Sequence, residues 1–513
     1  MKIKTLGLLV LAASTLFVLV FAIGIVSHWP FSRLNIQQSL EATFGGSITF
    51  QNVHSTYFPN PGCTIENLVF KQGGVPASTS PLVTIAQLRI EARYLDLLLR
   101  PGYLARVRLN NFFIHILADR HSLLGSRSSP STTRVGEIIA DGSTIQIDRE
   151  NSAPPLIFDI HTLRLFSVGE TLALSYITTL HIPLPSGEVH AKGKFGPWST
   201  VDPRQTPVSG EYSFQGADLA VFKGISGSLS SEDNFHGTLG RIEAHGTVEV
   251  PNFTVTRSHH SVHLQGTFHS FIDGTNGDVQ LQRVDAGFLG TSISANGEIA
   301  HHSDQEGKLT AIDLAVRNGR IEDVLYLFVR QPESPLHGIT SFRAHITIPP
   351  DKRPFLHRIR VIGDFGIEEG RFANPTTQNR VNVLSERARG GKKDQPSDSE
   401  TAMSDLAGHI DLLDANANLH DLRFYAPGAS ANMNGTYNLE STKIDLHGTL
   451  KTDVEISKMT TGVKSVLLKP FDSAFRKKRA AAVIPVHLLG TFDHPEPGLD
   501  IPARTSDRAT SPH

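Results

Sequence analysis

Histidine is the residue type in this sequence best suited to chemistry, because its imidazole binds metal ions and exchanges protons near neutral pH. The chain has 24 histidines; His259, His260 and His263 form one cluster, and His301 and His302 form another. On a strand, His259 and His263 would share a face, but no cysteine or carboxylate near either cluster completes an evident set of metal ligands. Several histidines occupy the polar positions of alternating segments, namely His245, His263, His447 and His487. We therefore predict solvent-facing strand positions and no metal site.

The motifs of common catalytic sites are missing from the chain. It has no H-E-x-x-H, G-x-S-x-G, G-x-x-x-x-G-K-[ST], C-x-x-C or G-x-G-x-x-G segment. The members of a catalytic triad can lie far apart in sequence, so an anchored hydrolase stays open as a weaker alternative that requires a convergent polar pocket. We predict that the protein is not an enzyme and has no cofactor.

A repeated segment carries the main structural signal and would have to position any site. It is written apolar-x-apolar-x-Gly-x-apolar and first occurs at Val189, Ala191, Gly193 and Phe195. A period of two predicts strands with one apolar and one polar face, and a glycine within a strand often marks a bend, a bulge or a close approach. The residues that we predict to line the apolar face are Val189, Ile242, Val248, Leu264, Ile293, Met433, Ile444, Leu446 and Leu488.

Two interpretations of these apolar strand faces remain open. In the first, two sheets pack face to face around an ordinary core. In the second, one long sheet curls around an open groove that holds lipid chains, because soluble proteins rarely leave a large apolar surface uncovered. A row of aligned glycines would permit such curling. The second interpretation makes phospholipid the expected ligand.

The N-terminal stretch predicts a membrane attachment. Residues 6–26 read LGLLVLAASTLFVLVFAIGIV, an apolar span long enough to cross a bilayer as a helix. No small-x-small cleavage site follows it, which favours a retained anchor over a signal peptide. Lys2 and Lys4 favour a cytoplasmic N-terminus, so the rest of the chain is expected outside the cytoplasm.

Composition limits the partners and the covalent chemistry. The formal net charge is −2 over 513 residues, so the overall balance does not indicate nucleic acid binding. Cys63 is the single cysteine, so no internal disulfide can form. Short helices are expected over 31–44, 94–99, 321–328 and 458–479. The basic run 476–479 is interpreted as a solvated helix end, with contact to anionic lipid headgroups as the alternative.

We divide the chain into an anchor and three β regions. The anchor is 1–30, and the regions are an N-terminal β region (31–120), a middle β-repeat region (121–350) and a C-terminal region (351–513). The last region contains a segment rich in Gly, Ser, Lys and Asp, which predicts a loop over 385–405.

Three stretches of the chain resemble the AsmA-like family of bacterial envelope proteins. The first is the N-terminal anchor followed by FGGSITFQNVHSTYFPNPGCTIENLVF and LVTIAQLRIEARYLDLLL. The second is GDFGIEEGRFANP with LSERARG downstream, and the third is FYAPGASANMNGTYNLESTKIDLHGTL with IPVHLLGTFDHP. Their order after a single anchor carries the resemblance, while the middle of the chain matches in strand style alone.

The resemblance implies a fold, a location and a function. The implied fold is mainly β: an elongated, curled antiparallel sheet that forms a groove, with a few short helices, after one N-terminal transmembrane helix. The implied location is the bacterial inner membrane, spanned once, with the bulk of the chain in the periplasm. The implied function is to bind or conduct phospholipid between inner and outer membranes in support of outer-membrane biogenesis. The alternative is a structural or assembly factor that contacts outer-membrane or other envelope proteins and transports no lipid.

Overall fold

The computed structural model describes residues 30–44, 47–71, 83–116, 133–148, 155–169, 173–199, 201–222, 224–256, 258–302, 307–351, 353–388, 402–452, 483–491 and 494–500. The expected membrane span over 6–26 and the expected helix over 458–479, with its basic run, lie outside the described residues. Within these described ranges, none of the helices combines the length and apolar character needed to cross a bilayer.

Strands make up 68% of the described structure, which confirms a mainly β fold with few short helices. The chain divides into two compact units. The first comprises 1–215 and 235–239, and the second comprises 216–234 and 240–513. These limits differ from the predicted region boundaries after residues 120 and 350.

The first unit combines a sheet with two helices, both at predicted positions. The helices are α1 (Arg33–Phe44) and α2 (Tyr94–Leu99). The strands are β1 (Ser47–Thr49), β2 (Asn52–Thr56), β3 (Gly62–Lys71), β4 (Val83–Glu91), β5 (Tyr103–Ile116), β6 (Arg134–Asp141), β7 (Ser143–Ile147), β8 (Leu156–Val168), β9 (Leu174–Pro183), β10 (Ser186–Phe195) and, up to residue 215, β11 (Pro207–Asp218).

Strand β5 departs from the predicted antiparallel pattern. It pairs in parallel with β6, where Val107 lies opposite Ile138, and with β7, where Ile114 lies opposite Ile145. The sheet is therefore mixed, and the prediction of a purely antiparallel sheet is wrong at this strand. A period of two determines the face that a side chain occupies but not the direction of the partner strand. The 17 residues between β5 and β6 allow the crossover that parallel pairing requires.

The start of the first unit contains its best-formed core. Phe31 and Ile36, at the N-terminal end of the unit, pack with Ile65 and Cys63 of β3. Ile65 is fully buried. Burial raises the pKa of the Cys63 thiol to about 12, so this side chain stays protonated and packs as a small apolar group.

The second unit is built mainly from strands that pair antiparallel with their neighbours in sequence. The helices are α3 (Ile321–Phe328), α4 (Phe355–Arg358) and α5 (Pro375–Ala388). The strands are β12 (Ile225–Ser226), β13 (Ser228–Thr238, up to residue 234), β14 (Arg241–Val255), β15 (Ser261–Ile272), β16 (Val279–Phe288), β17 (Thr291–His301), β18 (Lys308–Arg320), β19 (Leu336–Ile348), β20 (Arg360–Phe372), β21 (Ser404–Leu413), β22 (Asn416–Ala426), β23 (Ala429–Asn438), β24 (Lys443–Thr452), β25 (Val483–Thr491) and β26 (Pro495–Leu499).

Helix α5 corrects the predicted loop over 385–405. The helix extends to Ala388, and β21 already begins at Ser404, so both ends of the predicted segment belong to regular elements. Residues 389–401 lie outside the described residues. The start of α5 carries a sequence signal that the composition argument missed. The Asn374 side chain accepts hydrogen bonds from the backbone N–H groups of Thr376 and Thr377, and Pro375 occupies the first helical position.

Candidate functional site

The strand register of the second unit joins the alternating segments into one apolar face. Residues directly opposite each other in an antiparallel pair project from the same side of a sheet. The chain of opposite pairs runs through Leu264–Phe288, Ala286–Ile293, Ile293–Val316, Val316–Phe342, Phe342–Phe365, Gly363–Ile410, Ile410–Leu419, Leu419–Gly435, Gly435–Leu446 and Leu446–Leu488. We call this surface, which extends from β14 to β26, the apolar face.

Bulges do not break the apolar face. Between β16 and β17 the register shifts from Leu281 to Val284, and both residues lie opposite members of the same face, Gly297 and Ala295. An extra residue in one strand reverses the alternation, and the sequence places apolar residues in the correct phase on each side of the shift.

Charged residues occur at one place in the described part of this face. The positions paired with its members carry aliphatic, aromatic, Gly, Ser, Thr or Pro residues. At the ends of β17 and β18, His301 lies opposite Lys308, and both side chains reach Asp278. Among the described residues, the interior of the face is therefore free of charged side chains and of histidine.

The predicted lining residues belong to both units. Val189 lies in the first unit, opposite Leu180 and Phe214. The other eight lie on the apolar face of the second unit: Ile242, Val248, Leu264, Ile293, Met433, Ile444, Leu446 and Leu488. Leu446 is buried, and the others are half-buried. Their contact with lipid stays a prediction.

The centre of the apolar face is formed by strands that we did not identify from the repeated glycine motif, so their residues are not among the predicted lining. Leu314 of β18, Phe342 of β19 and Phe365 of β20 lie in adjacent strands and are half-buried. Their sequence neighbours point the other way, and the two aspartates among them are exposed, Asp313 at 59% and Asp364 at 81%. The sequence signal that could have identified β18 is the alternation of apolar residues without a glycine, at Ile312, Leu314 and Val316.

Partial exposure at the centre of the sheet bears on the two open interpretations. Large side chains in the middle of a face-to-face sandwich are normally fully buried. Phe342 and Phe365 are flanked by paired strands on both sides and still retain solvent exposure. This favours a lining that a ligand can reach over a closed core.

Helix α3 covers one end of the apolar face. Its Leu327 packs in a cluster with Val262 and Phe288, and Leu264 and Ile293 lie against this cluster. Asp323 at the start of the helix is 5% exposed and accepts hydrogen bonds from the backbone N–H of Gly290 and the hydroxyl of Thr291, both at 2.9 Å. Two predicted lining residues thus sit beside a helix of the same chain.

The opposite face of the second unit is polar and rich in histidine–carboxylate pairs. His345 lies 2.8 Å from Asp313, and His409 lies 2.8 Å from Asp364. The hydrogen bond between His447 and Asp500, at 2.6 Å, raises the pKa of the histidine and lowers the pKa of the carboxyl group. This face is suited to water and ions rather than to acyl chains.

The histidine clusters singled out from the sequence do not form one site. His259 and His260 precede β15 instead of lying on it. The imidazole of His260 stacks on Tyr326 at 4.2 Å and contacts its carbonyl oxygen at 2.8 Å, while His263 pairs with Glu249 at 3.1 Å. His301 is the partner of Asp278 described above.

Comparison of the sequence with known protein families and with curated proteins finds no match. The fold and the site define the class of protein: a mainly β protein of two units, in which the strands of the second unit present one apolar face and one charged, polar face.

Proposed function

We propose that this protein is an envelope lipid-binding protein that conducts phospholipid along the apolar face. In this proposal residues 6–26 anchor it in the bacterial inner membrane, the body lies in the periplasm, and lipid moves between inner and outer membranes in support of outer-membrane biogenesis. The observation that carries the proposal is an apolar face that runs from β14 to β26 with charges at a single strand end and with accessible side chains at its centre. The AsmA-like resemblance supports the location and the transport of lipid between the two membranes.

The physical chemistry of acyl chains matches such a face. Each CH₂ group removed from water contributes about 0.8 kcal/mol, so even partial contact along a chain holds a phospholipid. Adjacent strands lie about 4.8 Å apart, so neighbouring rows of apolar side chains are within the reach of one acyl chain. Because many similar contacts replace a single deep pocket, a bound chain can slide between equivalent positions.

Photocrosslinking at paired positions tests lipid contact. A benzophenone amino acid is placed in the full chain at Leu314 or Phe342, and the matched controls carry it at Asp313 or Arg343, one residue away on the opposite face. We expect phospholipid adducts at Leu314 and Phe342 at least about tenfold above those at the two controls, measured by mass spectrometry of cells irradiated before lysis.

Two results would count against the proposal. Equal lipid labelling at both sets of positions would mean that the adducts reflect general membrane contact. Protein adducts without phospholipid at Leu314 and Phe342 would favour the assembly-factor alternative, in which the apolar face docks an envelope protein.

A further inference from the structure

One cluster on the polar face of the second unit brings three potential metal ligands together. His245 of β14 lies directly opposite His269 of β15, and Glu243 lies two residues before His245 on the same face. Oε1 of Glu243 is 3.3 Å from Nε2 of His245 and 2.9 Å from Nε2 of His269. The three ligand atoms lie within 4.8 Å of one another, and all three residues are half-buried.

Other opposite histidine pairs of this unit lack that convergence. The rings of His409 and His420 are 6.4 Å apart, and those of His447 and His487 are 6.0 Å apart. The rings of His245 and His269 are 4.3 Å apart and nearly parallel. Within the described residues, the cluster at β14 and β15 is the one in which two histidines and a carboxylate meet this spacing.

Neighbouring side chains hold part of the cluster in place. The His269 ring lies between His245 and the ring of Phe271, whose centroid is 5.3 Å away. The guanidinium of Arg241 in turn stacks over Phe271 at 3.7 Å. Glu243 is hydrogen-bonded to Nε2 of His269 and lies 3.3 Å from Nε2 of His245, so the carboxylate is oriented before any ion arrives.

We propose that Glu243, His245 and His269 bind a divalent transition-metal ion, with Zn²⁺ as the best match to the ligands. Two imidazole nitrogens and a carboxylate oxygen are a ligand set that Zn²⁺ takes in proteins. Ligands about 2.1 Å from a tetrahedral ion are about 3.4 Å apart, close to the two separations between Glu243 and the histidines. The fourth position is left for water.

Binding requires one local rearrangement. The lone pairs of two nearly parallel rings do not converge, so the His245 ring turns about its Cβ–Cγ bond until its Nε2 faces the ion held by Glu243 and His269. The His245 side chain is 44% exposed, which leaves space for this turn. Both histidines bind as neutral imidazoles, so binding releases any proton they share with the carboxylate.

The surrounding charges permit a cation at this place. Arg283, opposite His269, is paired with Asp285 at 2.5 Å, which offsets its charge. Further along β14 and β15 on the same polar face, Glu249 pairs with His263. The bound ion would link β14 to β15 on the polar face. Because the apolar face lies on the other side of the strands, the metal site does not depend on lipid binding.

Zinc titration of the metal-stripped full chain tests the site. The chain is titrated against a chromophoric chelator, alone and with Glu243→Gln, His245→Asn or His269→Asn. We expect one tight equivalent of Zn²⁺ in the parent protein and a loss of at least about tenfold in affinity in each variant. His409→Asn, from a histidine pair with wider spacing, is the matched control and should retain the tight equivalent.

A spectroscopic readout distinguishes this site from scattered surface histidines. Cu²⁺ bound at one equivalent should give an electron paramagnetic resonance spectrum with coupling to two nitrogens, reduced to one in His245→Asn. Thermal unfolding of Glu243→Gln, which keeps the shape of the side chain, should match the metal-free parent and gain nothing from added Zn²⁺. Unchanged Zn²⁺ affinity in the three variants, or an equal loss in His409→Asn, would overturn the proposal.

Discussion

At the scale of single residues, the glycines of the apolar face act through close approach of neighbouring backbones. A Cβ atom added at Gly363 would lie 2.3 Å from the carbonyl oxygen of Arg343 and 2.8 Å from the Cα of Ala344. Three residues later in the same strand, Gly366 has no atom within 4 Å of that position. Gly363 is thus required because a side chain would not fit between the strands, and not because of its backbone dihedral angles.

These two glycines give a matched prediction. Gly363→Ala should lower the free energy of unfolding by about 1–3 kcal/mol, because the strands must separate to admit the methyl group. Gly366→Ala should change it by less than about 0.5 kcal/mol. Urea unfolding of the full chain followed by circular dichroism measures both; equal effects would contradict the role assigned to Gly363.

At the scale of elements, α3 illustrates how a correct helix prediction can misplace one edge of the buried side. The spacing of Ile321, Val324, Leu325 and Phe328 predicts the helix, and the structure has α3 at those residues. However, Leu327 is buried at 6% exposure while Phe328 is 54% exposed. The burial of Asp323, through its bonds to Gly290 and Thr291, rotates the helix so that Leu327 faces the sheet.

Adjacent substitutions in α3 test this orientation. Leu327→Ala should lower the free energy of unfolding by about 2–4 kcal/mol, since it leaves a cavity against Val262 and Phe288. Phe328→Ala should lower it by no more than about 0.5 kcal/mol, because its ring is mostly in solvent. Thermal and urea unfolding of the two variants provide the comparison, and a larger effect of Phe328→Ala would show that the helix docks through its other side.

At the scale of the whole molecule, a conduit depends on the continuity of the apolar face. One charged side chain at its centre should obstruct the passage of acyl chains, because a charge in apolar surroundings carries a penalty of several kcal/mol. Leu314→Glu introduces such a charge on the apolar face, and Ala315→Glu introduces the same charge one residue away, on the polar face opposite Ser294 and Arg343.

Lipid transfer between vesicles tests continuity. With the full chain reconstituted in donor vesicles, Leu314→Glu should slow transfer of a fluorescent phospholipid to acceptor vesicles at least about tenfold, while Ala315→Glu should transfer at the parent rate. Thermal unfolding confirms that both variants are folded. Parent-like transfer by Leu314→Glu would contradict conduction along this face.

The sequence by itself determined the two-sidedness of the strands and some of the helices. Alternation at Ile242–Val250 or Ile444–Leu450 predicts apolar and polar faces because successive side chains of a strand point in opposite directions. The spacing of apolar residues over Ile321–Phe328 predicted a helix in the same way. These properties follow from local geometry, so a single stretch of chain contains the information.

Only the tertiary structure decided which strands pair, in which direction and in which register. The parallel pairing of β5, the alignment of Leu314, Phe342 and Phe365 across three strands, and the meeting of His245 with His269 all depend on partners distant in sequence. Backbone hydrogen bonds are nearly identical at every register, so the choice is made by how entire faces, bulges and helices pack together. That choice created both the continuous apolar face and the histidine–glutamate cluster behind it.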